Sequence, residues 1–353
     1  MMLTPYTELL RQMICTPSFS REEHDVARII RTFLTERGIA YSVKGNNTWV
    51  RNRHWQVGKP VLLLDSHIDT VRPVASWTEE PFGARVDGDR IIGLGSNDAG
   101  ASVVTLLAVF MHYCDSAALP WNLLFAASCE EEISGTNGLA SILDELGPLD
   151  LAIVGEPTQM QLAIAEKGLM VLDCIARGIT GHAARKEGVN ALYKALDDIN
   201  RLRNFRFPQS SELLGDVKIS VTQIHAGTQH NVVPDTCTFV VDVRTNEHYS
   251  NRQALEIISG LLDSEVAARS LRLNSSGISR HAPIVRCATA LGIPCYGSPT
   301  TSDQALLHCP SVKIGPGDSA RSHTANEYIR IPEIDQGFET YIKLLDNLFL
   351  INS

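Results

Sequence analysis

Polar side chains in five short stretches have the types that metal-assisted hydrolysis needs: His67 and Asp69 in SHIDT, Asp98 in GSNDAG, the run Glu130-Glu131-Glu132, Glu156 in GEPT, and His323 in GPGDSARSHTANEY. Taken singly, each has an ordinary structural explanation. His67 and Asp69 read as a surface or packing detail, Asp98 as the N-cap of an apolar helix beginning near Ala101, and the triple glutamate as a solvated acidic loop. GEPT reads as a turn before a helix, and His323 as one more histidine in an irregular turn marked by Gly315, Pro316 and Gly317. Taken together, His67, Asp98, Glu132, Glu156 and His323 form a mixed imidazole and carboxylate set suited to zinc or a similar divalent ion. Asp69 is placed to orient the His67 ring, and a carboxylate such as Asp98 can bridge two metals. Three adjacent carboxylates repel one another unless cations sit nearby. With a metal present, one glutamate can ligate while its neighbour handles a proton.

The first four stretches each follow a predicted strand, and ligands of open parallel sheets bind beyond the carboxyl ends of the strands. Apolar runs at Val61 to Leu64, Leu123 to Ala127, Leu151 to Val154 and Val312 to Ile314 are buried-strand candidates, separated by helical patterns such as Ala101 to Tyr113 and Gly138 to Leu146. This alternation predicts an α/β fold with a mainly parallel sheet covered by helices. Upstream, Leu9, Leu10 and Met13, then Val26, Ile29, Ile30, Phe33 and Leu34, have helical spacing, and Ser20 with Glu23 has the form of a capping box for the second helix. Between about Lys167 and Asn274 the grammar changes. A strand (Leu169 to Ala176), a helix (Asn190 to Arg203), two strands (Val217 to Ile224 and Thr236 to Val243), a helix (Arg252 to Ala268) and a strand (Leu271 to Leu273) follow the β-α-β-β-α-β order of a ferredoxin-like layer. The expected organisation is a metal-binding catalytic domain built from residues 1–166 and 275–353, with an inserted ferredoxin-like α+β domain at 167–274.

A chain of 353 residues is long enough for two cores, and 44% hydrophobic with 20% charged residues is the composition of a globular protein. The formal net charge of −9 argues against a nucleic-acid surface. No stretch approaches the roughly 18 to 20 apolar residues of a membrane helix, and no signal-peptide core opens the chain, so a cytoplasmic location without membrane partners is expected. The cysteines are scattered without a C-x-x-C pair and read as reduced structural thiols. No G-x-S-x-G elbow, P-loop or strand-following G-x-G-x-x-G string supports another hydrolase or nucleotide chemistry.

The strings SHIDT, GSNDAGAS, SCEEEISGTNG, VGEPT, GHAA, NVVPD followed by VDVR, and GPGDSARSHTANEY occur in this order along essentially the whole chain. In them the sequence resembles the M20 metallopeptidase family, which contains acetylornithine deacetylase, succinyl-diaminopimelate desuccinylase and glutamate carboxypeptidases. The resemblance implies two divalent metal ions, zinc with cobalt as the alternative. Asp98 would bridge them, His67 and Glu156 would complete one site, and Glu132 and His323 the other. Glu131 matches the general base. Relatives usually have D-E-E where this chain has three glutamates; the spacing to Ile133, Ser134, Gly135 and Gly138 favours Glu131, and a shift by one residue is the alternative. The inserted domain would act as a lid and dimerisation domain. His182 in GHAA would reach the partner subunit's site to help hold the oxyanion, and Asn231 and Arg244 would contact the substrate. Arg185-Lys186 departs from the family, where a proline is common. The implied activity is hydrolysis of an N-acyl amino acid by a homodimer, foremost N-acetylornithine deacetylation in arginine biosynthesis. N-succinylornithine, N-succinylcitrulline or N-succinyl-diaminopimelate are alternative substrates. A dipeptidase or aminopeptidase, and a non-catalytic binding protein on the same fold, are the rival readings.

Overall fold

The computed structural model describes residues 3–351, and the chain forms two compact units. One runs up to Ile164 and takes in Ile278–Tyr296 and the chain from Ser302 onward; the other comprises Ala165–Gly277 and Gly297–Thr301.

At the centre of the first unit, the strands Asn122–Ser128, Val61–His67, Leu151–Val154 and Ser311–Lys313 lie side by side and parallel. Antiparallel strands extend the sheet on both sides: Asn47–Arg51 and then Ser42–Lys44 beyond Asn122–Ser128, and Leu162–Glu166 beyond Ser311–Lys313. The central strands are unbroken apolar runs rather than alternating ones because both faces are covered. Leu62, Leu63 and Leu64 are all fully buried, each worth about 1.5–3 kcal/mol of burial. The helix Ala101–Tyr113 is buried from Ala101 through Phe110, which explains its lack of a polar face. It packs against the sheet, the Thr4–Ile14 helix and the long helix Ile331–Ile351. Two parts of this unit carry little sequence signal: the Asn47–Arg51 strand, whose buried Asn47 and Thr48 are polar, and a small sheet of Arg85–Asp87, Arg90–Ile92 and Tyr328–Arg330.

The second unit is an antiparallel sheet in the order Lys218–Ala226, Thr236–Arg244, Met170–Arg177, Glu265–Ala268. The helices Ala191–Asn204 and Asn251–Leu261 pack on it through Ala195, Leu202, Ala254 and Ile258, against Leu172, Cys174, Phe239 and Val241. Asn190 caps the first helix, and Ser250 with Gln253 forms a capping box on the second.

The structure corrects three local expectations. The helix expected over Arg252 to Ala268 ends at Leu261, and Glu265–Ala268 is the fourth strand. The break is imposed from outside the segment: the buried carboxylate of Asp198 accepts the N–H groups of Asp263 and Ser264 and the Ser264 hydroxyl, which holds the chain out of helical geometry. Leu271 to Leu273 forms no strand, being joined to its neighbours by single bonds such as Leu169 N to Leu273 O. Ser20 and Glu23 do not make a capping box; the helix starts at His24, and both side chains are drawn to the site described next. Among the described residues no helix is long and apolar enough to cross a membrane.

Candidate metal centre

The parallel strands bring their carboxyl ends to one edge of the sheet. His67 closes its own strand, Glu131 and Glu132 follow Asn122–Ser128, Glu156 follows Leu151–Val154, and His323 lies in the loop after Ser311–Lys313. Asp98 comes from the Ser96–Gly100 turn; the following helix takes Gly100 as its N-cap, so Asp98 is not the cap residue. The Asp98–Ala99 peptide bond is cis. The loops bearing Glu156 and His323 touch at Gly315, where a Cβ would lie 2.5 Å from Glu156 O and 2.4 Å from Ser102 Oγ, so only glycine fits.

His67 Nε2 stands 3.3 Å from Asp98 Oδ1, 3.8 Å from Glu156 Oε1 and 4.0 Å from Glu131 Oε2. His323 Nε2 stands 3.0 Å from Glu132 Oε2 and 3.7 Å from Asp98 Oδ2. Asp98 therefore presents one oxygen to each imidazole. Among the described residues, the groups whose ligand atoms all lie within 4.8 Å of one another are His67/Glu131/Glu156 and His67/Asp98/Glu132. His67 is 2% exposed at its side chain and His323 54%, so the centre is open on the His323 side.

A frame of hydrogen bonds holds this arrangement. His67 Nδ1 is 3.0 Å from the main-chain oxygen of Asp69, to which Nδ1–H donates. That leaves Nε2 facing the carboxylates: it donates to Asp98 Oδ1 at 3.3 Å while protonated, and it is the nitrogen that would take a metal once that proton is lost. The Asp69 carboxylate, 3.5 Å from the same nitrogen, accepts the N–H of Glu131 at 3.0 Å and of Glu132 at 3.1 Å, and the Ser20 hydroxyl at 2.6 Å. Glu23, fully buried, accepts the N–H of Glu130 at 3.2 Å. Glu130 has φ 57, a left-handed conformation unusual for a non-glycine residue. Its carboxylate accepts the side-chain and main-chain N–H groups of Asn137, and a Cβ at Gly135 would come 2.0 Å from Glu130 Oε2. Sequence reasoning read Glu23 as a cap and missed Asn137 and Glu327. The only trace of Glu327 in the sequence is its place four residues after His323 in SHTANEY.

Burial pushes the carboxyls of Glu131 and Glu132 up, and that of Glu156 up to about 8. His323 is raised to about 9 by its hydrogen bond to Glu132. Burial works against protonation of His67, but its hydrogen bonds to Asp69 and Asp98 and the nearby charges of Glu156 and Glu131 prevail and raise it well above the ordinary imidazole range. Clustered, half-buried carboxylates of this kind need either protons or cations, and the oxygen and imidazole-nitrogen donors fit a divalent ion such as zinc. A group whose pKa lies above the solution pH carries its proton, and a cation that takes the lone pair displaces it. Loading zinc at pH 7 is therefore expected to release protons, measured by titration calorimetry in two buffers of different ionisation enthalpy; heats identical in both, after correction for dilution, would contradict the donor set.

In the second unit, Gly181–His182 pairs with Val232–Val233, and Ala183 N–H donates to Asn231 O, so His182 and Asn231 are neighbours. Ala184 N–H donates to His182 Nδ1 at 3.1 Å, so the neutral ring carries its proton on Nε2. Arg244 lies on a different sheet, where Asp242 engages its fork at 2.8 and 3.0 Å and Nη1 reaches Thr301 Oγ1 at 3.5 Å.

A parallel sheet with imidazoles and carboxylates converging at its carboxyl-end edge defines a metal-binding hydrolase. The chain belongs to peptidase family M20/M25/M40, whose profile matches residues 63–347. A succinyl-diaminopimelate desuccinylase of Dinoroseobacter shibae is 26% identical over 388 aligned residues, which cover 98% of this chain and 100% of that one. Among solved structures, a tripeptidase of Staphylococcus aureus superposes with a TM-score of 0.79 at 20% identity, covering 99% of both chains. A dinuclear metal binding peptidase of the M20 family from Bacillus subtilis superposes with a TM-score of 0.69 at 18% identity, covering 99% of this chain and 98% of that one. These structures share the mixed α/β fold.

Proposed function

We propose that the protein hydrolyses the amide bond of an N-acyl amino acid at a two-metal centre, with Glu131 as general base. The convergence of His67, Asp98, Glu131, Glu132, Glu156 and His323 at one sheet edge carries this reading. His67 and Glu156 would hold one cation, Glu132 and His323 the other, with Asp98 between them; zinc suits the donors, and cobalt is the alternative. The cations would supply Lewis acidity to the scissile carbonyl and acidify the attacking water. Glu131 takes one proton of that water as its oxygen adds to the acyl carbon, then delivers it to the nitrogen as the C–N bond breaks, leaving a free amine and a carboxylic acid that gives up its remaining proton to solvent. The engagement of Glu130 by Asn137 supports the choice of Glu131, because it removes the first glutamate from contention. Asp69 fixes both the His67 ring and the main chain of Glu131 and Glu132.

His182, with Nε2–H outward, is suited to donate to the oxyanion, and Asn231 beside it to contact substrate. Arg244 would meet a carboxylate chiefly through Nη1, since Asp242 engages the rest of its fork. Residues 167–274 are assigned as lid and dimerisation domain. The outer edge of Lys218–Ala226, which pairs with no strand among the described residues, and the exposed Tyr193 and Leu196 on the Ala191–Asn204 helix offer a pairing surface for a homodimer.

The relation to a desuccinylase supports a succinylated substrate over N-acetylornithine. The test is a panel on zinc-reconstituted protein: N-acetylornithine, N-succinylornithine, N-succinylcitrulline, N-succinyl-diaminopimelate and an unblocked dipeptide. Cleavage of a succinylated amino acid ahead of the others is expected; cleavage of the dipeptide alone would move the protein to the peptidases.

A further inference from the structure

The loop that carries His323 ends in Glu327, a carboxylate only 1% exposed and turned onto the backbone of the turn that carries Asp98. Glu327 Oε1 accepts the N–H of Asn97 at 2.8 Å and of Asp98 itself at 2.9 Å, and Oε2 accepts that of Gly95 at 3.2 Å. Asn97 returns the connection, donating from Nδ2 to Asp318 O at 3.1 Å and accepting Asp318 N–H at 2.9 Å. The turn cannot easily relax elsewhere: Gly95 has φ 75, and a Cβ there would lie 2.6 Å from Thr70 Cγ2.

We infer that Glu327 is a positioning residue for Asp98, fixing the backbone from which its two oxygens face His67 and His323 and thereby setting the affinity of the second cation. The inference rests on the two-metal reading proposed above. Glu327 is itself no ligand, because main-chain donors occupy its oxygens. Residues that orient a ligand in this way typically change metal affinity about 10–100-fold when replaced.

Glu327→Gln keeps the shape and the Oε1 bonds, but sets an NH2 against Gly95 N–H. Glu327→Asp keeps the carboxyl group and shortens the reach. Both are expected to bind cobalt more weakly than the parent, the second ion by about 10–100-fold, with a changed cobalt absorption spectrum, in a titration of the metal-stripped full chain. Glu333→Gln is the control, since Glu333 clamps Arg321 of the same loop at 2.7 and 2.9 Å and is expected to leave both affinities unchanged. Parental binding of the second ion by either Glu327 variant, or an equal loss in Glu333→Gln, overturns the inference. A parent chain that takes up no second cation overturns the two-metal reading and this inference with it.

Discussion

Replacing Glu131 by alanine is expected to lower turnover by about 10²–10⁴-fold, the contribution of a positioned general base, while leaving the metal content of the protein unchanged. The prediction separates two roles that the geometry places side by side. Glu131 lies 4.0 Å from His67, within ligand distance of the same cation that Glu156 would hold, whereas Glu132 faces His323 at 3.0 Å. A ligand and a base differ in what their removal takes away. Glu132→Ala is expected to lose cation affinity and activity together; Glu131→Ala loses activity alone. Both can be read from one pair of samples by elemental analysis and hydrolysis rate. A Glu131→Ala protein that has shed a metal ion would make Glu131 a ligand and move the base to a neighbour, and near-parental turnover would remove it from the mechanism.

Much of the centre was legible because its residues stand where apolar runs stop. His67, Glu131, Glu132 and Glu156 each mark the end of a strand whose uninterrupted hydrophobicity announces burial on both faces, and the parallel arrangement then brings those ends to one edge. The supporting frame was not legible, because its contacts join residues far apart in the chain. Ser20 and Glu23 have the spacing of a capping box, yet their partners are Asp69 and Glu130. Nothing local distinguishes a glutamate that caps a helix from one that anchors a loop more than a hundred residues away. Glu130 illustrates the same point: three like side chains in a row take separate directions only because Asn137 holds the first and Asp69 holds the main chain of the other two.

In the second unit the alternating strands and the helix periodicity were readable, since one face is buried and the other is not. The end of the Asn251–Leu261 helix was not, because Glu265–Ala268 has good helix formers and becomes a strand by pairing with Met170–Arg177 after Asp198 has stopped the helix. His182, Asn231 and Arg244 carry no pattern of their own, and only the resemblance singled them out.

The measurement that bears most directly on the account is removal and return of the metal. Burial and mutual repulsion leave the clustered carboxylates dependent on positive charge, and without cations that charge comes from protons on His67, His323 and the raised glutamates. No cation is then present to activate the carbonyl or acidify the attacking water. Protein stripped with a chelator and assayed against N-succinyl-diaminopimelate and N-succinylornithine at pH 7 is thus expected to be inactive. Zinc added back stepwise should restore the rate, which levels off once about two ions are bound per chain. Full activity in the stripped protein, or binding of zinc with no hydrolysis of any acylated amino acid, would contradict the assignment of these residues to a two-metal amidohydrolase.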